Sequence, residues 1–243
     1  MIKQAFIELF NVILVSLITC AVTFLLCFVL NSYDGKQTVY VENGFELKND
    51  ITVVIDAGHG GVDGGAVGIS GALEKDINLS IARHLEVLFR MSGIKTVMTR
   101  TDDNLLYKEG QESRKKFYDL KNRTDIANSV DNGILISIHQ NKFPIEKYSG
   151  LQVYYSKRNS ESHEIALLIQ KKTIEFLQPD NNRKVKESGK NIYLLNNTKC
   201  PAVLVECGFL SNGREESLLK DEDYQRKVAT VIFSAVVEYI NTD

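Results

Sequence analysis

The stretch VVIDAGHGGVDGGA, residues 53–66, passes from an apolar run to a glycine-rich loop within a few residues. An apolar run that ends in glycines is typical of a buried β-strand leading into a sharp turn. His59 lies at the change between Asp56 and Asp63, so the loop could hold a phosphate or a metal, or could simply turn the chain. A phosphate site is disfavoured because neither G-x-G-x-x-G nor a G-K-[ST] ending is present and Asp63 would repel the ligand.

Apolar runs and helical periods alternate along the rest of the chain. Runs without polar interruption indicate strands that are buried on both faces, and stripes with a 3.6-residue period indicate helices packed on them. The pattern predicts an α/β fold with a mostly parallel sheet flanked by helices. The predicted strands are Ile51–Asp56, Ile94–Thr99, Ile134–Ile138, Leu151–Tyr155, Asn191–Leu195 and Ala202–Val205, and the predicted helices are Ile77–Met91, Glu161–Leu177 and Asp223–Ile240.

Composition restricts the class of protein. The chain has 243 residues, of which 44% are hydrophobic and 25% charged, which is the balance of a globular protein with one sizeable core. Its formal net charge of -2 argues against binding to nucleic acid, because neutralising phosphates requires a clustered basic surface.

The N-terminal segment differs from the rest. Residues 12–30 contain no charged side chain, which is enough apolar length for a helix to cross a bilayer core of about 30 Å. We expect residues 1–31 to form an uncleaved membrane anchor, with a cleaved signal segment as the alternative, followed by a linker over 32–49 and a catalytic domain over 50–243. Lys3 is the only basic residue before the span, which favours a domain outside the cytoplasm.

Three polar side chains lie at or just beyond predicted strand ends. His59 follows Asp56 by three positions, His139 directly follows ILISI, and Glu206 directly follows AVLV. The carboxyl ends of parallel strands meet at one sheet edge, so these residues should converge there with Glu74, at the start of a helix. Two imidazoles and carboxylates are the ingredients of a catalytic zinc site, although each residue taken singly is more commonly structural.

Five ordered blocks of sequence resemble one enzyme family. The blocks IDAGHGGVDGGA, GISGAL followed by Glu74, NRTDIAN, ILISIHQN and PAVLVECGFLSN are similar to the zinc-dependent N-acetylmuramoyl-L-alanine amidases of the bacterial cell wall, over roughly residues 51–240. The resemblance implies that His59, Glu74 and His139 bind zinc and that Glu206 is catalytic. It further implies hydrolysis of the amide between N-acetylmuramic acid and L-alanine in peptidoglycan.

The sequence departs from the family pattern at two places and resembles one subgroup of the family more narrowly. Ala57 stands where the family usually has proline, and HQNKF replaces the commoner HANA at residues 139–143. One catalytic domain on one anchor is similar to the sporulation-associated CwlD-type amidases. That likeness implies action on spore cortex as a step toward muramic δ-lactam, at the cell envelope or in the forespore intermembrane space, with an accessory protein left open.

Two other functions remain as alternatives: a metallocarboxypeptidase acting on stem peptides, which the same ligand set would suit, and a catalytically silent peptidoglycan-binding module. For substrate contacts we consider Asn141 and Arg123, although Arg123 could instead form a salt bridge. The short stretch from Asn141 to Gly150 leaves little room for a helix that blocks the cleft.

The remaining histidines and cysteines have structural interpretations. We expect His84 to pack beside the core and His163 to lie on the surface. Cys207 should point away from Glu206, because neighbours on a strand face opposite sides. A disulfide between Cys200 and Cys207 is not expected, because an extended strand separates them too far.

Overall fold

The computed structural model describes residues 50–242, which form a six-stranded sheet in the order β2-β1-β3-β6-β4-β5. Strands β2, β1, β3 and β6 are mutually parallel, β4 runs antiparallel to β6, and β5 runs parallel to β4. The predicted mostly parallel sheet is therefore confirmed. The strands are β1 (Thr52–Ala57), β2 (Lys95–Met98), β3 (Gly133–Asn141), β4 (Gln152–Tyr155), β5 (Lys186–Glu187) and β6 (Ala202–Phe209).

Helices cover both faces of this sheet. The helices are α1 (Glu74–Met91), α2 (Lys115–Asn128), α3 (Glu161–Phe176), α4 (Tyr193–Asn197), α5 (Gly213–Lys220) and α6 (Glu222–Asn241). Helices α1, α3 and α6 pack on one face in the larger apolar core, whereas α2 and α4 cover the other face with a smaller one. The central strands β1, β3 and β6 are consequently buried on both sides, as their largely apolar sequences require.

The three long predicted helices are confirmed. Their prediction succeeded because each helix buries its apolar stripe. In α1 the buried aliphatic and aromatic side chains recur at helical spacing, at Ile77, Ile81, Leu85 and Phe89. The helix predicted over Asp223–Ile240 corresponds to α6, whose buried residues follow the same period. Burying each such side chain contributes about 1.5–3 kcal/mol to the free energy of unfolding.

One predicted strand is wrong. Asn191–Leu195 was expected to be extended, but Tyr193–Asn197 forms the short helix α4, in which Leu194 and Leu195 are buried in the smaller core. The backbone N–H and the hydroxyl of Thr198 both donate to the carbonyl of Leu194 and close the helix. A short apolar run fits a strand and a buried helical turn equally well, which explains the error.

The other differences concern element ends and the N-terminus. Strands β3 and β6 extend beyond their predicted ends, so His139 and Glu206 lie within strands. Helices α2 and α5 and the two-residue β5 were not predicted. The predicted anchor and linker fall outside the described residues, and within 50–242 no helix combines the length and apolarity needed to cross a membrane.

Candidate metal centre

The predicted site residues meet at the carboxyl edge of β1, β3 and β6. His139 and Glu206 are directly opposite one another in the β3–β6 register, and His59 lies two residues beyond the end of β1. Glu74 is the first residue of α1 and turns its buried side chain back toward the same point. The convergence predicted from strand ends is thus observed, although its residues are separated by up to 147 positions in the chain.

Two imidazole nitrogens face one carboxylate at the centre of this group. His139 Nδ1 lies 2.9 Å from Glu74 Oε1, and His59 Nε2 lies 3.3 Å from the same oxygen. The candidate ligand atoms of the three residues all lie within 4.8 Å of one another. Three converging N and O donors match the ligand set of a catalytic zinc site, which leaves one position open.

Neighbouring groups hold His59 and Glu74 in place. Asp63 Oδ2 lies 3.1 Å from His59 Nδ1, on the opposite side of the ring from Glu74. Glu74 Oε2 accepts from the N–H of Ala66 at 2.7 Å, and Glu74 Oε1 accepts from the N–H of Gln140 at 3.0 Å. Such outer contacts fix the orientation of metal ligands, and their loss typically costs 10–100-fold in affinity or activity.

Two glycines of the loop are required for this close approach. A Cβ at Gly58 would lie 2.3 Å from the His139 ring. At Gly65, where φ is 67°, it would lie 2.6 Å from Glu74 Oε2 and 2.8 Å from His59 Cδ2. Any larger residue at either position would therefore displace a candidate ligand.

The charges of the three groups stabilise one another. Burial alone would raise the pKa of Glu74, but hydrogen bonds from His139 and His59 and their charges hold it well below the ordinary range. Burial opposes protonation of His59, yet the Glu74 and Asp63 carboxylates raise the pKa of that imidazole above its usual value. A carboxylate that stays ionised between two imidazoles is suited to binding a cation.

Glu206 differs from Glu74 in having an oxygen without a partner. Its Oε2 is buried and has no hydrogen-bond partner among residues 50–242. Burial raises the pKa of Glu206 to about 7, with His139 and His59 opposing the rise and Glu74 adding to it. A buried carboxylate oxygen without a partner costs stability, which makes Glu206 a candidate for a chemical role.

This cost predicts a pH-dependent gain in stability for Glu206→Gln in the metal-free protein. In the unfolded chain Glu206 ionises near 4.5, but in the folded chain near 7, so the cost of ionisation is absent below 4.5 and complete above 7. At about 1.4 kcal/mol per pKa unit, we expect a stabilisation of up to about 3 kcal/mol at pH 8 and little at pH 4.5. Urea unfolding of both proteins at the two pH values measures it, and an equal difference at both would refute this explanation.

The two candidate substrate contacts lie in different surroundings. Asn141 ends β3 beside Phe209, and its side chain is partly exposed at the sheet edge. Arg123 is only 1% exposed and pairs with Asp56 and Asp119, each at 2.8 Å. A guanidinium so enclosed does not fit a role in orienting substrate carboxylates, and the salt-bridge alternative describes its contacts.

Several residues around the centre were not singled out from the sequence. Asn78 donates to Glu74 Oε1 at 3.4 Å and to the carbonyl of Gly58 at 3.1 Å. Arg100 is buried and donates to loop carbonyls, and Gln140 contacts both Glu74 and Asn78. Asn78 lies four residues after Glu74, which places it on the same helix face, and this spacing was the available signal.

Within residues 50–242, the remaining histidines and cysteines are where the sequence suggested. Cys207 is fully buried in the larger core, on the face of the sheet opposite the smaller core. Cys200 and Cys207 are both free thiols. His84 is partly buried and His163 is exposed. Residues 142–150 contain no helix, and the side chains of His59 and His139 are 25% and 20% exposed, so solvent reaches the centre.

Comparison with known proteins identifies the family. Residues 53–238 match the profile of the family described as N-acetylmuramoyl-L-alanine amidase. The germination-specific N-acetylmuramoyl-L-alanine amidase of Bacillus subtilis is 39% identical over 189 residues, which cover 77% of this chain and 78% of that protein. LytC, an N-acetylmuramoyl-L-alanine amidase of the same organism, is 33% identical, covering 80% of this chain and 37% of the relative.

Solved structures show the same fold. The CwlD amidase from Clostridioides difficile, in complex with the GerS lipoprotein, superposes with a TM-score of 0.75 at 41% identity, covering 79% of this chain and 99% of that one. The matched segment contains His59, Glu74, His139 and Glu206 together. Family profile, relatives and fold therefore agree, and the chain belongs to the N-acetylmuramoyl-L-alanine amidase family.

Proposed function

We propose that this amidase is zinc-dependent, that His59, Glu74 and His139 hold the metal, and that Glu206 is the general base. The observation that carries the proposal is the convergence of three N and O donors beside a buried carboxylate oxygen that has no partner within residues 50–242. That donor set suits zinc, which accepts imidazole nitrogen and carboxylate oxygen and in catalytic sites leaves one position open. Family membership supports the same choice.

The reaction is hydrolysis of the amide that joins the lactyl carbonyl of N-acetylmuramic acid to the amino group of L-alanine. When bound, zinc would polarise that carbonyl and lower the pKa of water toward 7. The carboxylate of Glu206 takes a proton from the attacking water and then delivers it to the departing alanine nitrogen. The products are a lactyl carboxylate and a peptide with a free alanine N-terminus.

The environment of Glu206 suits both proton transfers. A group that takes and then returns a proton works best when its pKa lies near the working pH. The enclosed position of Glu206 raises its pKa to about 7, whereas Glu74, hydrogen-bonded by both histidines, stays ionised. Two carboxylates in one site thus take different roles, one as ligand and one as base.

Product analysis separates this function from its alternatives. An amidase releases the whole stem peptide with a new alanine N-terminus, a metallocarboxypeptidase removes only the last residue, and a silent binding module releases nothing. We expect mass spectrometry of a muropeptide digest to show the intact stem peptide and peptide-free glycan. Release of a single terminal amino acid would instead establish a carboxypeptidase.

For the biological substrate we propose spore-cortex peptidoglycan, where removal of the stem peptide precedes conversion to muramic δ-lactam. The support is similarity to a germination-specific amidase and to CwlD. Because that CwlD was solved with a lipoprotein, an accessory protein is proposed for this chain also. Spores of a strain from which this protein has been deleted should contain cortex without muramic δ-lactam. A normal muropeptide profile in these spores would exclude this role.

For location we propose that residues 1–31 anchor the enzyme in a membrane with the catalytic domain on the extracytoplasmic side. The support is the uncharged stretch of residues 12–30 and the cell-wall substrate. Sedimentation of the full-length chain with membranes tests the anchor, and recovery of the intact chain in the soluble fraction would contradict it.

A further inference from the structure

We propose that Arg100 and Arg123 are positioning residues that together hold the loop of His59 in the conformation in which its imidazole reaches the metal. This inference rests on the proposed function, because it takes His59 to be a zinc ligand. Neither arginine is assigned any contact with substrate or metal. Both act through the backbone of residues 57–59.

The starting point is the backbone of His59, whose φ is 62°. Residues other than glycine rarely adopt this left-handed conformation, and it persists only where the surrounding structure enforces it. The conformation directs the ring toward Glu74, with Nε2 at 3.3 Å from Oε1. A relaxed backbone at this position would therefore aim the imidazole elsewhere.

The surroundings that enforce it are hydrogen bonds to three successive carbonyls. Arg100 donates from Nε to the carbonyl of Ala57 at 2.8 Å and from Nη2 to that of Gly58 at 3.1 Å. Arg123 donates from Nη1 to the carbonyl of Ala57 and from Nη2 to that of His59, both at 2.6 Å. The chain leaves the sheet here, so buried carbonyls must find donors outside the strand ladder.

The two guanidinium groups are themselves fixed. Arg123 is bound through Nε to Asp119 and through Nη1 to Asp56, and Arg100 also donates to the carbonyls of Lys75 and Asp102. Arg100 and Arg123 are 3% and 1% exposed, and Asp56 and Asp119 are 1% and 4% exposed. Both carboxylates pair with Arg123, whereas the contacts that hold Arg100 are backbone carbonyls.

Arginine is suited to this task because its planar fork presents several donors in a rigid arrangement. Arg123 spans two backbone carbonyls and two carboxylates at once, which an ammonium on a flexible stem cannot reproduce. Arg123→Lys and Arg100→Lys therefore keep the charge and remove the simultaneous contacts. We expect each to weaken zinc binding by about 10–100-fold, the range for groups that orient metal ligands.

The experiment measures zinc affinity of the full-length protein by competition with a chelating dye, together with the visible absorption of the cobalt-substituted protein and the free energy of unfolding of the metal-free form. Arg90→Lys is the matched control, because Arg90 is exposed and pairs with Glu86 on its own helix, away from the loop. Val236→Ala is the control for a general loss of stability. Val236 lies in α6 and is fully buried in the larger core, which also contains residues of α1 and α3. Both controls should bind zinc within about twofold of the parent protein. Arg100→Lys and Arg123→Lys should bind zinc more weakly and should also show an altered cobalt spectrum.

His59→Ala separates failure of this inference from failure of the proposed function. If His59→Ala binds zinc normally, the proposed ligand set is wrong. If His59→Ala loses zinc while both Lys variants keep the parent affinity and cobalt spectrum, the positioning role is overturned. It is also overturned if Val236→Ala, with a similar loss of stability, weakens zinc binding as much. Should Arg123→Lys fail to fold, Arg100→Lys decides the outcome alone.

Discussion

Replacing Glu206 by Gln is expected to lower turnover by at least about a hundredfold while the protein keeps its zinc. The amide preserves the shape and reach of the side chain but cannot accept a proton. Proton transfer by a positioned group typically contributes about 10²–10⁴-fold in rate, or roughly 3–5 kcal/mol of barrier. Rates of peptide release and zinc content, both measured on the same preparation, test it.

The matched control is Glu238→Gln, the same change at a carboxylate of α6 that pairs with Lys172 of α3. It should leave turnover and zinc content unchanged. Loss of zinc together with activity in Glu206→Gln would make Glu206 a ligand. Normal turnover with zinc retained would require a different base.

The second large effect is expected from the three candidate ligands. Replacing His59, Glu74 or His139 by Ala leaves the metal with two protein ligands and additional water. We expect each variant to bind zinc at least about a hundredfold more weakly, beyond the 10–100-fold that outer contacts cost, and to lose activity at stoichiometric zinc. Competition with a chelating dye measures the affinity.

His163→Ala is the control for these ligand variants, because His163 is exposed near the start of α3. It should bind zinc as the parent protein does. Unchanged affinity in all three ligand variants would show that the metal, if any, binds elsewhere.

The parts of the fold that were predictable are those whose burial is apolar. Strand β1 buries an aliphatic run and β3 buries one that is broken only by Ser137, whereas α1 and α6 bury periodic apolar residues, so sequence pattern and structure coincide. Helix α2 was not predictable because the residues that it buries include Asp119, Arg123 and Thr124. No apolar stripe marks such a helix, since its inward face is polar and paired.

The candidate site was predictable to the same degree. Parallel strands bring their carboxyl ends to one edge, so His59, His139 and Glu206 could be expected to converge before any coordinates were known. The buried polar contacts that support these residues could not be predicted, because they join partners that are distant in sequence. The contact between Arg123 and Asp56 joins residues 67 positions apart, and neither local spacing nor composition indicates it.

Amide cleavage by the full-length protein before and after removal of its metal tests directly whether zinc at this site drives the reaction. We expect chelator-treated protein to release no stem peptide from muropeptides and one equivalent of zinc per chain to restore release. Glu206→Gln should bind the same equivalent without recovering activity. Continued cleavage by metal-free protein, or full zinc binding by the unaltered chain without cleavage, would show that zinc at this site does not drive the reaction.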